Sequence, residues 1–110
     1  MNIVSLSAKH CQACTTNTPR LSDGEIAHYL TLFPGWQLKA GKLEKQVKVK
    51  DFREALLLAN RIGEIAEQEN HHPDLLVSWG LLQITIFTHS VKALTENDFI
   101  LAAKIKSIIS

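Results

Sequence analysis

Two of the five histidines in this 110-residue chain are adjacent, in "ENHHPD" at residues 69–74. Imidazole exchanges protons near neutral pH without a large environmental shift. A concentration of it suits acid–base catalysis, metal ligation, or a solvated helix end where the macrodipole favours a cation. His71 and His72 stand where a long helical pattern stops, and Pro73 keeps His72 extended. His89 closes a strand-like segment, "ITIFTH". With a turn centred between Gly80 and Leu81, His72 falls opposite His89 across a hairpin. Glu67 lies four residues before His71, on the same helix face if the helix persists that far. Three imidazoles and one carboxylate therefore converge at one end of a hairpin.

Each chemistry makes its own demands. Zinc held by three histidines would keep an open fourth position, but adjacent histidines point in different directions and the i, i+4 spacing of helical zinc sites is missing. Acid–base work asks only that the imidazoles face one substrate. Cys11 and Cys14, in "HCQAC", have the C-x-x-C spacing of half a zinc site or a redox dithiol. No second C-x-x-C exists, and the loop-like "TTNTP" follows where a thioredoxin-like motif needs a helix. The pair reads as ordinary reduced thiols in an N-terminal extension, or as metal ligands shared with another subunit.

The elements that must position these groups follow from periodicity and punctuation. Residues 1–20 read as an N-terminal arm, and residues 21–110 as one domain. Ser22 and Glu25 have capping-box spacing ahead of a short helix that Pro34 and Gly35 stop. "WQLKAGKLEKQVKVK" reads as two strands around a turn near Ala40-Gly41-Lys42, with Leu43, Val47 and Val49 alternating and Lys45 interrupting. Asp51 and Glu54 cap the strongest helix. One of its apolar stripes holds Phe52, Leu56, Ala59, Ile62, Gly63 and Ala66, and a second holds Leu57, Leu58 and Ile65. One stripe would dock a helix on a sheet, so the second predicts an oligomer that uses this helix. "LLVSWGLLQITIFTH" gives two more strands. Thr95 and Asp98 then open a last helix as N-cap and N3. The order α-β-β-α-β-β-α predicts an α+β fold, a four-stranded antiparallel sheet with three helices packed on one face.

A net charge of +1 gives no broad footprint for nucleic acid or an anionic membrane surface. The 45% hydrophobic content suits one globular core. No apolar run reaches the roughly 18 residues of a membrane span. The N-terminus lacks a secretory pattern, so the cytoplasm is the expected location.

Taken together, "E-x-x-x-HHPD" at 67–74, Trp79, "TH" at 88–89 and "LTENDF" at 94–99 resemble the pterin-4a-carbinolamine dehydratase family. "GW" at 35–36 and "KDF" at 50–52 fit it too, and the "HCQAC…P" arm resembles bacterial members that accompany phenylalanine hydroxylase. The chain departs from the family pattern at Leu75 and Leu76, often aromatic, and at Trp79, often tyrosine. The resemblance implies a homodimer or homotetramer. It also implies dehydration of 4a-hydroxytetrahydropterin to quinonoid dihydropterin, recycling the pterin of an aromatic amino acid hydroxylase without metal or organic cofactor. On this reading His71 and His89 are the acid–base pair, and His72 binds or orients the pterin and polarises the leaving group. Glu67 orients His71, Trp36 lines the pterin pocket, Asp98 lies near the site and Pro73 sets the chain direction. The alternative is a non-catalytic oligomeric interaction module, acting as a partner-stabilising or transcriptional cofactor.

Overall fold

The computed structural model describes residues 3–12 and 17–109. Helix α1 spans Ile3–Ala8, α2 Asp23–Leu30, α3 Phe52–Glu69 and α4 Glu96–Ile109. The strands are β1 Gln37–Lys39, β2 Lys42–Lys48, β3 Asp74–Ser78 and β4 Leu81–Ile86. The expected α-β-β-α-β-β-α order is present, with the short α1 added ahead of it. All strand pairs are antiparallel, in the spatial order β1-β2-β4-β3.

Central strand β4 alternates as a half-covered strand should, with Leu82, Ile84 and Ile86 fully buried. Burying each such side chain stabilises the fold by about 1.5–3 kcal/mol. Cross-strand register puts Leu43 and Val47 of β2, and Leu75 and Val77 of β3, on the same face. Lys45 shares that face but escapes burial of its charge by running to the margin beside Gly35. A Cβ at Gly35 would stand 2.5 Å from Lys45 Nζ, and its φ of +89° independently favours glycine. The opposite face carries Glu44, Gln46, Gln83 and Thr85.

Helix α2 begins with the expected reciprocal capping box of Ser22 and Glu25. Asp51 caps α3 by accepting from Glu54 N at 2.9 Å. The stripe of α3 buried in the chain is Ala55, Ala59, Ile62 and Ala66, whereas Phe52 and Leu56 are about half exposed. Ala55 takes the inward position assigned to a larger neighbour because residues 55, 59, 62 and 66 follow the helical repeat more closely. Of the second stripe, Leu58 and Ile65 pack against the core and Leu57 is 59% exposed.

Helix α4 is buried over nearly its whole circumference from Asn97 to Ala103. Part of its cover comes from α1, whose Leu6 is fully buried and whose Ser7 carbonyl accepts from Lys104 Nζ at 2.8 Å. An all-round apolar helix requires such cover. None of the described helices is long and apolar enough to cross a membrane.

The β3–β4 hairpin differs from expectation in register. Ser78 pairs with Leu81, so the turn is Trp79-Gly80, one residue earlier than the sequence suggested. Gly80 adopts φ +76°. As the residue for which that angle costs least, it takes the second turn position and frees Leu81 to pair with both Ser78 and Lys48. Pairing therefore shifts by two residues, and the ladder ends at Asp74–Thr85. His72 is not opposite His89, though both remain at the same end of the hairpin.

Candidate active site

Asn70 ends α3 in the left-handed conformation, φ 52° and ψ 40°, which asparagine tolerates better than most residues. The amides of Asn70 and His71 both donate to the Ala66 carbonyl. His71 thus leaves the helix axis at once, and its ring turns inward to 8% exposure. There Nε2 donates to Asp98 Oδ1 at 2.7 Å.

Asp98 is completely buried in the first turn of α4, where the helix dipole favours a negative charge. Its Oδ2 accepts from Thr95 N at 2.8 Å and from Thr88 Oγ1 at 2.7 Å. Thr88 has one hydroxyl proton and gives it to Asp98, so in the 2.9 Å contact between the two threonine hydroxyls Thr95 is the donor. The carboxylate accepts three hydrogen bonds, which offsets the cost of burying it. Asp98 is at once the helix cap read from sequence and the partner of His71.

The bond to Asp98 places the proton of a neutral His71 on Nε2 and leaves Nδ1 as the acceptor. No buried side-chain nitrogen or oxygen among the described residues lacks a partner. A ring fixed at Nε2 by a buried carboxylate keeps Nδ1 as its one basic nitrogen, which can accept and return a proton.

His72 points the other way and is exposed. Its Nε2 contacts Glu67 Oε2. Glu67 thus pairs with His72 rather than His71, because the left-handed turn at Asn70 breaks the helical spacing. Thr88 and His89 follow β4, where Thr88 forms a bridge with Ala93 in both backbone directions. Adjacent residues face opposite ways here. Thr88 points inward to Asp98, while His89 is exposed with its ring edge-on to Phe87 at 5.5 Å. Pro73 is half-buried ahead of β3. Trp36 is 6% exposed and packs edge-on against Phe33 at 6.4 Å in the core. Among the described residues, no three His, Cys, Asp or Glu side chains are grouped to hold a metal ion. Cys11 Sγ donates to the Asn97 carbonyl at 3.5 Å, and Cys14 lies outside the described residues.

Sequence reasoning did not single out Thr88, Glu69 or Asn97. Thr88 carried a signal, as the inward partner of an outward-facing histidine one residue on. Glu69 accepts from Cys11 N at 2.7 Å and from His10 Nδ1 at 2.9 Å, with Lys104 Nζ 3.8 Å away. Burial pushes its carboxyl upward, but the bonds from Cys11 and His10 and the charge of Lys104 outweigh that and hold it below the ordinary value.

The family model described as Pterin 4 alpha carbinolamine dehydratase matches residues 19–108. A protein of Alkaliphilus metalliredigens named "Putative pterin-4-alpha-carbinolamine dehydratase" is 46% identical over 103 residues, covering 92% of this chain and 93% of its own. One of the same name from Rubrobacter xylanophilus is 42% identical over 101 residues, covering 91% and 94%. A crystal structure of a "transcriptional coactivator/pterin dehydratase" from Brucella melitensis superposes with a TM-score of 0.79 at 29% identity. It covers 84% of this chain and all of that one. With the match extending across the whole sheet and the helices that carry His71 and Asp98, the chain belongs to the pterin-4-alpha-carbinolamine dehydratase family, a family of hydro-lyases.

Proposed function

We propose that the chain dehydrates 4a-hydroxytetrahydropterin to quinonoid dihydropterin and water, with histidines as the acid and base. In the reaction the C4a–O bond and the N5–H bond break, a C4a=N5 double bond forms, and the hydroxyl leaves as water. One group must protonate the oxygen and another must take the N5 proton. His71 and His89 fill these two roles, and His72, steadied by Glu67, orients the pterin and polarises the leaving hydroxyl. The observation that carries this reading is the buried His71–Asp98 couple, which engages Nε2 and leaves Nδ1 as the acceptor of the neutral ring. General acid–base catalysis of this kind contributes about 10²–10⁴-fold. Trp36 supports the pocket from within the core, and Pro73 sets the direction of His72.

The same reading places the protein in the cytoplasm, regenerating the pterin of an aromatic amino acid hydroxylase, with a phenylalanine hydroxylase as its companion. Self-association into a dimer or tetramer through α3 is supported by the exposed Phe52, Leu56 and Leu57. Gly63 supports it too, since among the described residues nothing lies within 4 Å of where its Cβ would stand. A mid-helix glycine costs about 1 kcal/mol relative to alanine, a cost that close approach of a second helix would explain.

A second reading, the non-catalytic interaction module, draws on those exposed residues and on the coactivator half of the Brucella protein's name. One experiment separates the two. 4a-Hydroxytetrahydropterin is generated in solution and its ultraviolet spectrum is followed with and without chelator-treated protein. Acceleration of the spectral change supports the dehydratase, and an uncatalysed rate with folded protein rejects it in favour of the module.

A further inference from the structure

His71 and Asp98 belong to two helix ends, the exit of α3 and the entry of α4, and one hydrogen bond joins them directly. The N-terminal segment joins the same two ends again. Cys11 N and His10 Nδ1 both donate to Glu69, two residues before His71. One residue further along, Gln12 N donates to Asn97 Oδ1 at 3.0 Å, and Asn97 Nδ2 donates back to the Gln12 carbonyl at 2.7 Å. Cys11 Sγ lies 3.5 Å from the Asn97 carbonyl, and Asn97 immediately precedes Asp98. The result is a closed ring of covalent and hydrogen bonds, running from His71 to Asp98, Asn97, Gln12, Cys11, Glu69, Asn70 and back to His71.

The placement of Glu69 argues that this ring has a purpose beyond holding the arm. A carboxylate on the last residue of α3 faces the negative end of the helix dipole and is nearly buried as well. Both features cost stability, and its offsetting partners are the arm and Lys104. Anchoring at Asn97 is bidentate, so it fixes the arm's position along α4 as well as its distance from it.

We propose that residues 9–12 form a brace that sets the His71–Asp98 geometry, with Glu69 and Asn97 as positioning residues. This rests on the dehydratase reading for its catalytic consequence, but the geometric claim stands independently. Lys9, paired with Glu96 at 2.7 Å between half-exposed side chains, adds little.

The test uses the full chain with Glu69→Ala, Asn97→Ala and the conservative Glu69→Gln, which still offers Oε1 to Cys11 N. In the alanine variants, kcat for the pterin substrate is expected to fall about fivefold or more, the cost of a small misplacement. KM should stay within about twofold. Glu69→Gln should recover at least half of the lost kcat. A second readout needs no substrate. The His71 Nε2–H proton, far downfield in the wild type because it donates to a carboxylate, should move upfield and broaden in the alanine variants. If that resonance responds while the wild-type chain shows no dehydration, the dehydratase reading falls and the brace stands. Should folded variants keep both wild-type kcat and the wild-type resonance, the brace is overturned. Where alanine prevents folding, His10→Ala, at an exposed ring, decides. A partial upfield shift supports the brace and an unchanged resonance overturns it.

Discussion

Thr88 Oγ1 lies 2.7 Å from Asp98 Oδ2 while the next residue, His89, faces outward. One dipeptide therefore both holds the buried carboxylate and presents an imidazole to solvent. His71 receives its orientation from Asp98, and Asp98 is held in part by Thr88. The positions of two of the proposed catalytic histidines are thus linked through a single carboxylate, and substitutions around it should affect turnover together.

Asp98→Asn is expected to be the most damaging single change. An amide cannot accept from Nε2–H, Thr88 and Thr95 N together, and it favours the wrong tautomer of His71. Turnover should fall about 100-fold or more, by analogy with an aspartate that orients a catalytic histidine. Steady-state kinetics checks this, and a kcat within threefold of wild type, with about that precision, would remove Asp98 from the mechanism.

His71→Ala and His89→Ala should each lower kcat by more than about tenfold. His72→Gln should act chiefly on KM, since its proposed part is orientation. Kinetics on the three variants separates these roles, and wild-type rates in both alanine variants would sink the acid–base assignment.

Thr88→Val preserves shape but leaves Asp98 Oδ2 without one donor and Thr95 Oγ1 without its acceptor. A loss of about 1–3 kcal/mol is expected, seen as a lower denaturation midpoint in urea, together with reduced kcat. A chain of unchanged stability would show that the threonine pair contributes nothing net.

The arm should respond to pH through Glu69. Its carboxyl is held below its ordinary value of 4.5 in the folded chain. Its contribution is therefore fully present above the unfolded value and is lost as pH falls through the depressed folded value. Stability measured by denaturant from pH 7 down to about 3 should fall more steeply in wild type than in Glu69→Gln. Parallel curves would contradict the linkage.

Gly63→Leu tests self-association. Among the described residues nothing lies within 4 Å of the Cβ that a side chain would add there, so the subunit should fold and gain helix propensity. The sedimenting mass should drop to that of a monomer. An unchanged oligomer would place the interface elsewhere.

What could be read from sequence divides along physical lines. Helix α3 was legible because Asp51, Glu54 and four turns of periodicity agree, and β4 because its isoleucines and threonine favour strand. Asp98 was legible as a cap, but its bond to His71 joins residues 27 positions apart, which leaves no periodic trace. The hairpin register slipped because backbone cost placed Gly80 at the second turn position, a detail finer than hydrophobic pattern conveys. Helix α1 went unseen because six residues are too few to be stable alone, so it owes its existence to α4. Glu69 and Asn97 drew no reading from the sequence because their partners in the arm lie 58 and 85 residues away.

The brace also has a temporal consequence. Gln12 and Asn97 are separated by 85 residues, so ribosomal synthesis at 5–20 residues per second exposes the arm for roughly 4–17 s before its docking helix exists. During that interval α3 and the β3–β4 hairpin can form from local contacts, but the N-terminal segment has Glu69 alone of its two anchors, and Leu6 lacks the cover of α4. The ring that encloses His71 closes only when residues 9–12 and α4 are both present. A nascent fragment ending before α4 would carry the histidine doublet without the Asp98 that orients His71.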